Sequence, residues 1–141
     1  MFQRILLPID LGHAESQVKA AKAAAAMAAA DNAKLWMINV VPEFGTAFVG
    51  AQFPDDFAEK ARAAALEELR AFAGRHIAGS EPEFIVGEGA ACHEISRAAE
   101  DRDVDLIVMA SHRPAFRDHL IGPNAAHVMT HSNCSVLVVR Q

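Results

Sequence analysis

The sequence predicts an α/β domain built on an open, five-stranded parallel sheet with helices on both faces. Two observations predict it. Short apolar runs of strand length alternate with stretches of helical character, the order that parallel β-α-β units require. Proline and glycine stand mostly at the ends of these runs and not inside them, as chain punctuation should. With 141 residues the chain has room for one such domain and buries a core without disulfide staples.

The first run is residues 4–9, Arg-Ile-Leu-Leu-Pro-Ile. A continuous apolar run suits a strand covered on both faces. Pro8 belongs at its end, because proline brings no N–H to a central ladder. Residues 14–30 are rich in alanine, with Lys19 and Lys22. Alanine has the highest helix propensity, and its small side chain lets a helix lie close to a sheet. Residues 34–41 hold Trp36, Ile38, Val40 and Val41, and Pro42 ends this second strand. Residues 43–54 mix Gly45, Gly50 and Pro54 with Phe44, Phe48 and Phe53. So long a connection is either a lid or a loop whose phenylalanines pack on the domain or on a second subunit.

Residues 55–73 read as a helix, with Asp55 or Asp56 as cap and a stripe of Phe57, Ala61, Ala64, Ala65, Leu69 and Phe72. Gly74 and Gly79 mark its exit. A short strand over 83–86 follows, and Gly87 and Gly89 make a tight turn into a third helix over 91–101. Ile95, Ala98 and Ala99 face inward from it. Residues 105–110, with Leu106, Ile107, Val108 and Met109, form a buried strand. A second long connection spans 111–121. Residues 122–124 open a last helix over 125–132, and 135–139 form the final strand.

The charge balance sets further bounds. Thirteen Lys and Arg against eighteen Asp and Glu give a net charge of −5, which does not suit a phosphate-backbone partner, so no nucleic acid is expected. The apolar runs are too short to span a bilayer, so no membrane is expected. Residues 1–9 show no charged n-region, h-region and cleavage site, so no secretory leader is expected. Cys92 and Cys134 are far apart and form no CxxC pair, the pattern of reduced thiols in a cytoplasmic protein.

In open parallel sheets, ligands bind beyond the carboxyl ends of the strands, where strand order reverses. The strand ends here are Pro8-Ile9-Asp10, Asn39-Val40-Val41 and Met109-Ala110-Ser111. Gly122 stands at the mouth of a helix, where free N–H groups and the positive dipole end favour an anion. Asp10 on one side and residues 122–124 on the other frame an anion-friendly crevice. Asp10 either meets a ligand or caps the structure that follows it. His127 and His131, four apart, share one helix face, a metal-ligand spacing. No acidic residue or cysteine completes a set at that spacing, so no metal is assigned.

The motifs then become specific. The stretches Arg4-Ile5-Leu6-Leu7-Pro8-Ile9-Asp10, Asn39-Val40-Val41-Pro42, Met109-Ala110-Ser111-His112-Arg113-Pro114, Leu120-Ile121-Gly122-Pro123-Asn124-Ala125-Ala126 and Cys134-Ser135-Val136-Leu137-Val138-Val139 resemble the universal stress protein family. The resemblance covers the whole chain, 1–141, as one domain. It implies a Rossmann-like sheet of strand order 3-2-1-4-5 and a cytoplasmic protein. It also implies a homodimer paired through the C-terminal strand, which two such dimers extend to a tetramer. The Ser-His-Arg-Pro run and its spacing look like the F- and G-type subgroup, in which ATP, accompanied by Mg²⁺, is the expected ligand. Carried onto this sequence, the nucleotide-binding residues are Pro8, Ile9, Asp10, Val40, Met109, Ala110, His112, Arg113, Gly122, Pro123 and Asn124, with the backbone of Val40 meeting adenine.

The chain departs from the family's Gly-x-x-Gly, spacer, Gly-Ser/Thr pattern. Ala110 and Arg113 replace the first two glycines, eight residues (114–121) form the spacer, and Pro123 takes the hydroxyl position. Ala110 adds a methyl where backbone should touch the nucleotide. Arg113 offers a cation to the phosphates instead of an amide. Pro123 removes a hydroxyl and an N–H, and Asn124 supplies a side-chain donor. His119 and Arg117 suit a solvated surface. These departures favour a second reading, a nucleotide-free dimeric stress protein that binds protein partners. No Gly-x-Ser-x-Gly elbow, lysine-bearing phosphate loop or Ser-Gly-Gly-x-Asp-Ser run is present. A binding module is expected, not an enzyme.

Overall fold

The computed structural model describes residues 1–43, 56–111 and 121–140. Five parallel strands run in the order β3-β2-β1-β4-β5. They are β1 (Arg4–Pro8), β2 (Lys34–Val41), β3 (Glu83–Glu88), β4 (Leu106–Ser111) and β5 (Ser135–Arg140). Four α-helices connect them: α1 (Ala14–Asp31), α2 (Phe57–His76), α3 (Ala91–Asp101) and α4 (Pro123–His131). A 3-10 turn, Leu11–His13, leads into α1.

Right-handed crossovers explain the two layers. From β1 the chain steps to β2 and then β3 in one direction, which puts α1 and α2 on one face. It returns past β1 to β4 and β5 in the other direction, which puts α3 and α4 on the opposite face. The strand period of two divides the core accordingly. Ile5, Leu7, Met37 and Val108 pack beneath α1 and α2 with Leu69 and Phe72. Leu6, Ile38, Ile107 and Met109 pack beneath α3 and α4 with Ile95, Ala98, Ala125 and Val128. Ala20, Ala21 and Ala24 of α1 are wholly covered, and their small side chains bring that helix down onto the sheet.

Several boundaries differ from the sequence reading. The second helix continues through Gly74 to His76. A Cβ at Gly74 would touch nothing within 4 Å, whereas Gly79 at φ +94 makes the exit turn. Asp56 holds the N-cap position of α2 without a side-chain cap bond, and its carboxylate pairs with Lys60 at 2.8 Å. Asp55 lies outside the described residues. Ala64 is exposed, so the buried stripe of α2 is Ala65, Leu69, Phe72 and Ala73. Gly87 is not part of a turn. It sits inside β3, paired with Val40, and a Cβ there would come within 3.1 Å of the Glu94 Cβ. Glycine there leaves room for Glu94 of α3, and Gly89, at φ +119, makes the turn.

The connection over 43–54 lies, after Glu43, outside the described residues, as do His112, Arg113, Arg117 and His119. Among the described residues, no helix is long and apolar enough to cross a membrane.

Candidate functional site

The strand order places the reversal point between β1 and β4. β1 pairs with β2 as far as Pro8–Ile38. With β4, its register reaches only Leu6–Ile107. Proline contributes to this divergence. Ile9 donates its N–H to Ile38 O on β2 at 2.8 Å, so by strand alternation position 8 faces β4, and there Pro8 has no N–H to give. The two strand ends separate, and a cavity of about 370 Å³ opens between them. That lies within the usual range for small-molecule sites, about 300–1,000 Å³.

The floor is apolar, formed by Ile38, Val40 and Met109 on the α3/α4 side of the sheet. The walls are helix starts. Ala91, at the head of α3, lines one side, and Gly122, Pro123, Asn124 and Ala125, at the head of α4, line the other. Neither helix has a side-chain cap bond, so the N–H groups of both first turns remain available. Gly122 has φ −55, a backbone open to any residue, so its conformation does not require glycine. Pro123 is the first helical residue, where its ring is welcome and its missing N–H is one that no intrahelical bond would use.

Asp10 makes the capping bond weighed from the sequence and stands at the crevice. It lines the cavity, and it caps the 3-10 turn through Oδ1, which accepts from Gly12 N–H at 3.0 Å. Its Oδ2 lies 2.9 Å from His13 Nδ1. Two buried amides that sequence reasoning did not single out hold this corner. Gln17, 4% exposed, accepts from Asp10 N–H at 3.4 Å and donates to Ser16 Oγ at 2.8 Å. Asn39, 8% exposed, donates from Nδ2 to Ile9 O at 2.8 Å. The signal for Asn39 was present in the sequence: one polar residue inside an apolar strand must find a partner.

Pro8, Ile9, Asp10, Val40, Met109, Ala110, Gly122, Pro123 and Asn124 all line this one cavity. His112 and Arg113 are outside the described residues. Among the described lining residues Asp10 carries the only charge, and none is Lys or Arg. The groups of this lining that complement an anion are the N–H groups of the helix starts. Behind the α4 wall the rings of His127 and His131 stack with centroids 4.1 Å apart, and His93 from α3 lies 5.3 Å from His127. The pKa of His127 is held below its ordinary value, first by burial and then by the neighbouring His131 and His93.

A 3-2-1-4-5 sheet with a cavity at its reversal point, floored by apolar strand ends and faced by two helix starts, defines an open α/β domain of the kind that carries its crevice at the strand ends. Residues 1–140 match the Universal stress protein family, and the chain belongs to it. Universal stress protein G of Shigella flexneri is 31% identical over 145 residues, covering 99% of this chain and all of that protein. The G protein of Salmonella typhimurium is 30% identical over the same shares. Among solved structures, hypothetical protein MJ0577, studied for structure-based assignment of its biochemical function, superposes with TM-score 0.80 at 26% identity, over 100% of this chain and 97% of its own. A universal stress protein in complex with cAMP superposes with TM-score 0.70 at 24% identity, over 99% and 97%.

Proposed function

We propose that this protein is a cytoplasmic adenine-nucleotide-binding stress protein that takes ATP in the β1–β4 crevice. The observation that carries the reading is the pairing of an apolar floor with two uncapped helix starts around one cavity. An adenine needs a flat apolar slot with backbone partners, and Ile38, Val40 and Met109 supply it. Phosphates need N–H donors, and Asn124 and Ala125 at the head of α4 supply them. Asp10 would hold a ribose hydroxyl or a water of a nucleotide-bound Mg²⁺. A universal stress protein of the same fold is found with cAMP, also an adenine nucleotide, which supports the ligand class.

The protein acts as a binding module and not as a catalyst. Hydrolysis needs a positioned base or a water-orienting group, and the described lining offers Asp10 alone, already engaged with Gly12 and His13. The nucleotide would alter the surface or the assembly of a homodimer joined through β5. That strand is a sheet edge, with Leu137 36% exposed, and such an edge is protected when a partner covers it.

The alternative, a nucleotide-free dimer that binds protein partners, is favoured by one observation: the described lining has no cation, and Pro123 removes an amide from the anion-facing turn. Protein purified without added nucleotide is denatured in acid, and the released small molecules are separated on a column. The first reading expects an adenine nucleotide there and heat on titration with ATP and Mg²⁺. An empty protein giving no heat overturns it in favour of the second.

A further inference from the structure

We infer that Cys92, His93 and His127 form a zinc site that staples the first turn of α3 to the middle of α4. Their candidate ligand atoms all lie within 4.8 Å of one another. In a tetrahedral site, Zn–S of about 2.3 Å and Zn–N of about 2.0–2.1 Å put ligand atoms roughly 3.3–3.6 Å apart. The cluster reaches that spacing by closing up to roughly 1.5 Å, a movement asked of the side chains. The position is set by the core beneath: Ile95 and Ala98 of α3 pack with Ala125 and Val128 of α4, which brings the polar residues just above them side by side.

An independent observation points to a ligand. His127 Nδ1 is buried and has no hydrogen-bond partner. A covered ring nitrogen left unpaired loses its water without gaining a partner, and such a group calls for a reason. A metal bond satisfies it. His131 shows how the tautomers are set nearby. Its Nδ1 lies 2.9 Å from His127 O, and a carbonyl only accepts, so Nδ1 carries a hydrogen. An imidazole fixed by a backbone carbonyl is the usual support for metal-binding histidines, and His131 stands stacked beside the cluster. One thiolate and two imidazoles match borderline-soft Zn²⁺ and not a hard cation. With three protein ligands the fourth position stays open to water, and His93 is exposed, which gives the ion a way in.

The site was not legible from the sequence because its halves lie on different helices. His127 and His131 declare one helix face, while Cys92 and His93 precede them by more than thirty residues. It lies directly behind the crevice, since Ala91 and Ala125 line the cavity, yet its existence does not depend on nucleotide binding.

The metal-free full chain is titrated with Zn²⁺ against a chromogenic chelator, and Co²⁺ is used as a spectroscopic stand-in. One equivalent should bind, with a thiolate-to-cobalt charge-transfer band. Cys92→Ser should abolish the band. His93→Gln should weaken Zn²⁺ more than about 100-fold, because even outer-shell partners are worth 10–100-fold. His93 is exposed, so this variant keeps its fold, which circular dichroism verifies, and it decides the matter should Cys92→Ser not fold. Cys134→Ser, outside the cluster, should change nothing. A cobalt spectrum without the thiolate band, or Zn²⁺ affinity in His93→Gln within tenfold of wild type, overturns the site.

Discussion

Asn39 ties the end of β2 to the end of β1: its side-chain amide donates to the Ile9 carbonyl at 2.8 Å at the floor of the crevice. Ile9 lies just beyond Pro8, the last residue of β1, where β4 has already diverged. Its carbonyl would otherwise be covered without a partner, since Ile9 is 3% exposed. Asn39→Leu keeps the branched shape and heavy-atom count and strands that oxygen. The expected loss is about 1–3 kcal/mol of stability, the cost of an unsatisfied buried acceptor. Urea unfolding, read at the midpoint with an unchanged slope, checks it. Stability equal to wild type would mean that water replaces the amide.

Glu83 and Trp36 give a pH prediction. They are register partners on β3 and β2. Lys34 pairs with Glu83 at 2.7 Å and Trp36 Nε1–H donates to it at 2.9 Å. The Lys34 bond, and then the Trp36 bond, hold the Glu83 carboxyl below the usual carboxylate range. A depressed folded-state pKa adds stability above the unfolded value, about 4.3, and that stability is lost as pH falls through the folded value. Wild type should therefore exceed Glu83→Gln at neutral pH, and the two should converge in acid. Trp36 is the single tryptophan, so its fluorescence follows both unfolding curves. A constant difference from neutral pH into acid would remove the carboxylate as the cause.

The layers and strand order were legible because they rest on patterns that local chemistry enforces. An apolar run such as residues 4–9 has few places to go but a sheet covered on both faces, and Pro8 can end β1 but not continue it. Gly87 was misread because glycine has two uses: turning the chain, and yielding to a neighbour. Only the packed position of Glu94, whose Cβ would lie 3.1 Å from a Cβ added at Gly87, separates them. Gln17 was missed for a similar reason. Its burial and its bond to the Asp10 N–H are tertiary outcomes. The crevice residues at strand ends were readable from topology, whereas the histidine–cysteine cluster required two helices to be placed in space.

The exposed edge gives an assembly prediction. β5 alternates between exposed and half-buried positions, and Leu137 is the large apolar side chain it leaves most open. If a second copy covers this edge, Leu137→Lys buries an unpaired ammonium there. Dimer dissociation should then strengthen by more than about tenfold, the effect of 1.4 kcal/mol. Light scattering at micromolar concentration should give a dimer mass for wild type and a falling mass for the variant. A monomeric wild type would leave β5 protected by its own helices.

Pro123 sets stability and nucleotide affinity against each other. It is the first residue of α4, so its ring suits the helix start and limits the unfolded chain. Pro123→Ser should lower the melting temperature by an amount equivalent to about 0.4–1 kcal/mol. The same change restores an N–H and a hydroxyl to the turn that faces the crevice. Hydrogen bonds to charged groups contribute roughly 1.5–3 kcal/mol, so ATP should bind at least tenfold more tightly. Gly122→Val tests the approach path. At φ −55 a valine is conformationally acceptable, so the fold should persist, while the branched side chain fills the space beside the phosphates and abolishes binding. Calorimetry with ATP and Mg²⁺ on wild type and both variants separates the outcomes. Heat in wild type, more in Pro123→Ser and none in Gly122→Val supports the crevice as the nucleotide site. A silent wild type with a binding Pro123→Ser marks a site disabled by one residue. Silence in all three leaves the crevice without ATP and favours a dimer that serves protein partners.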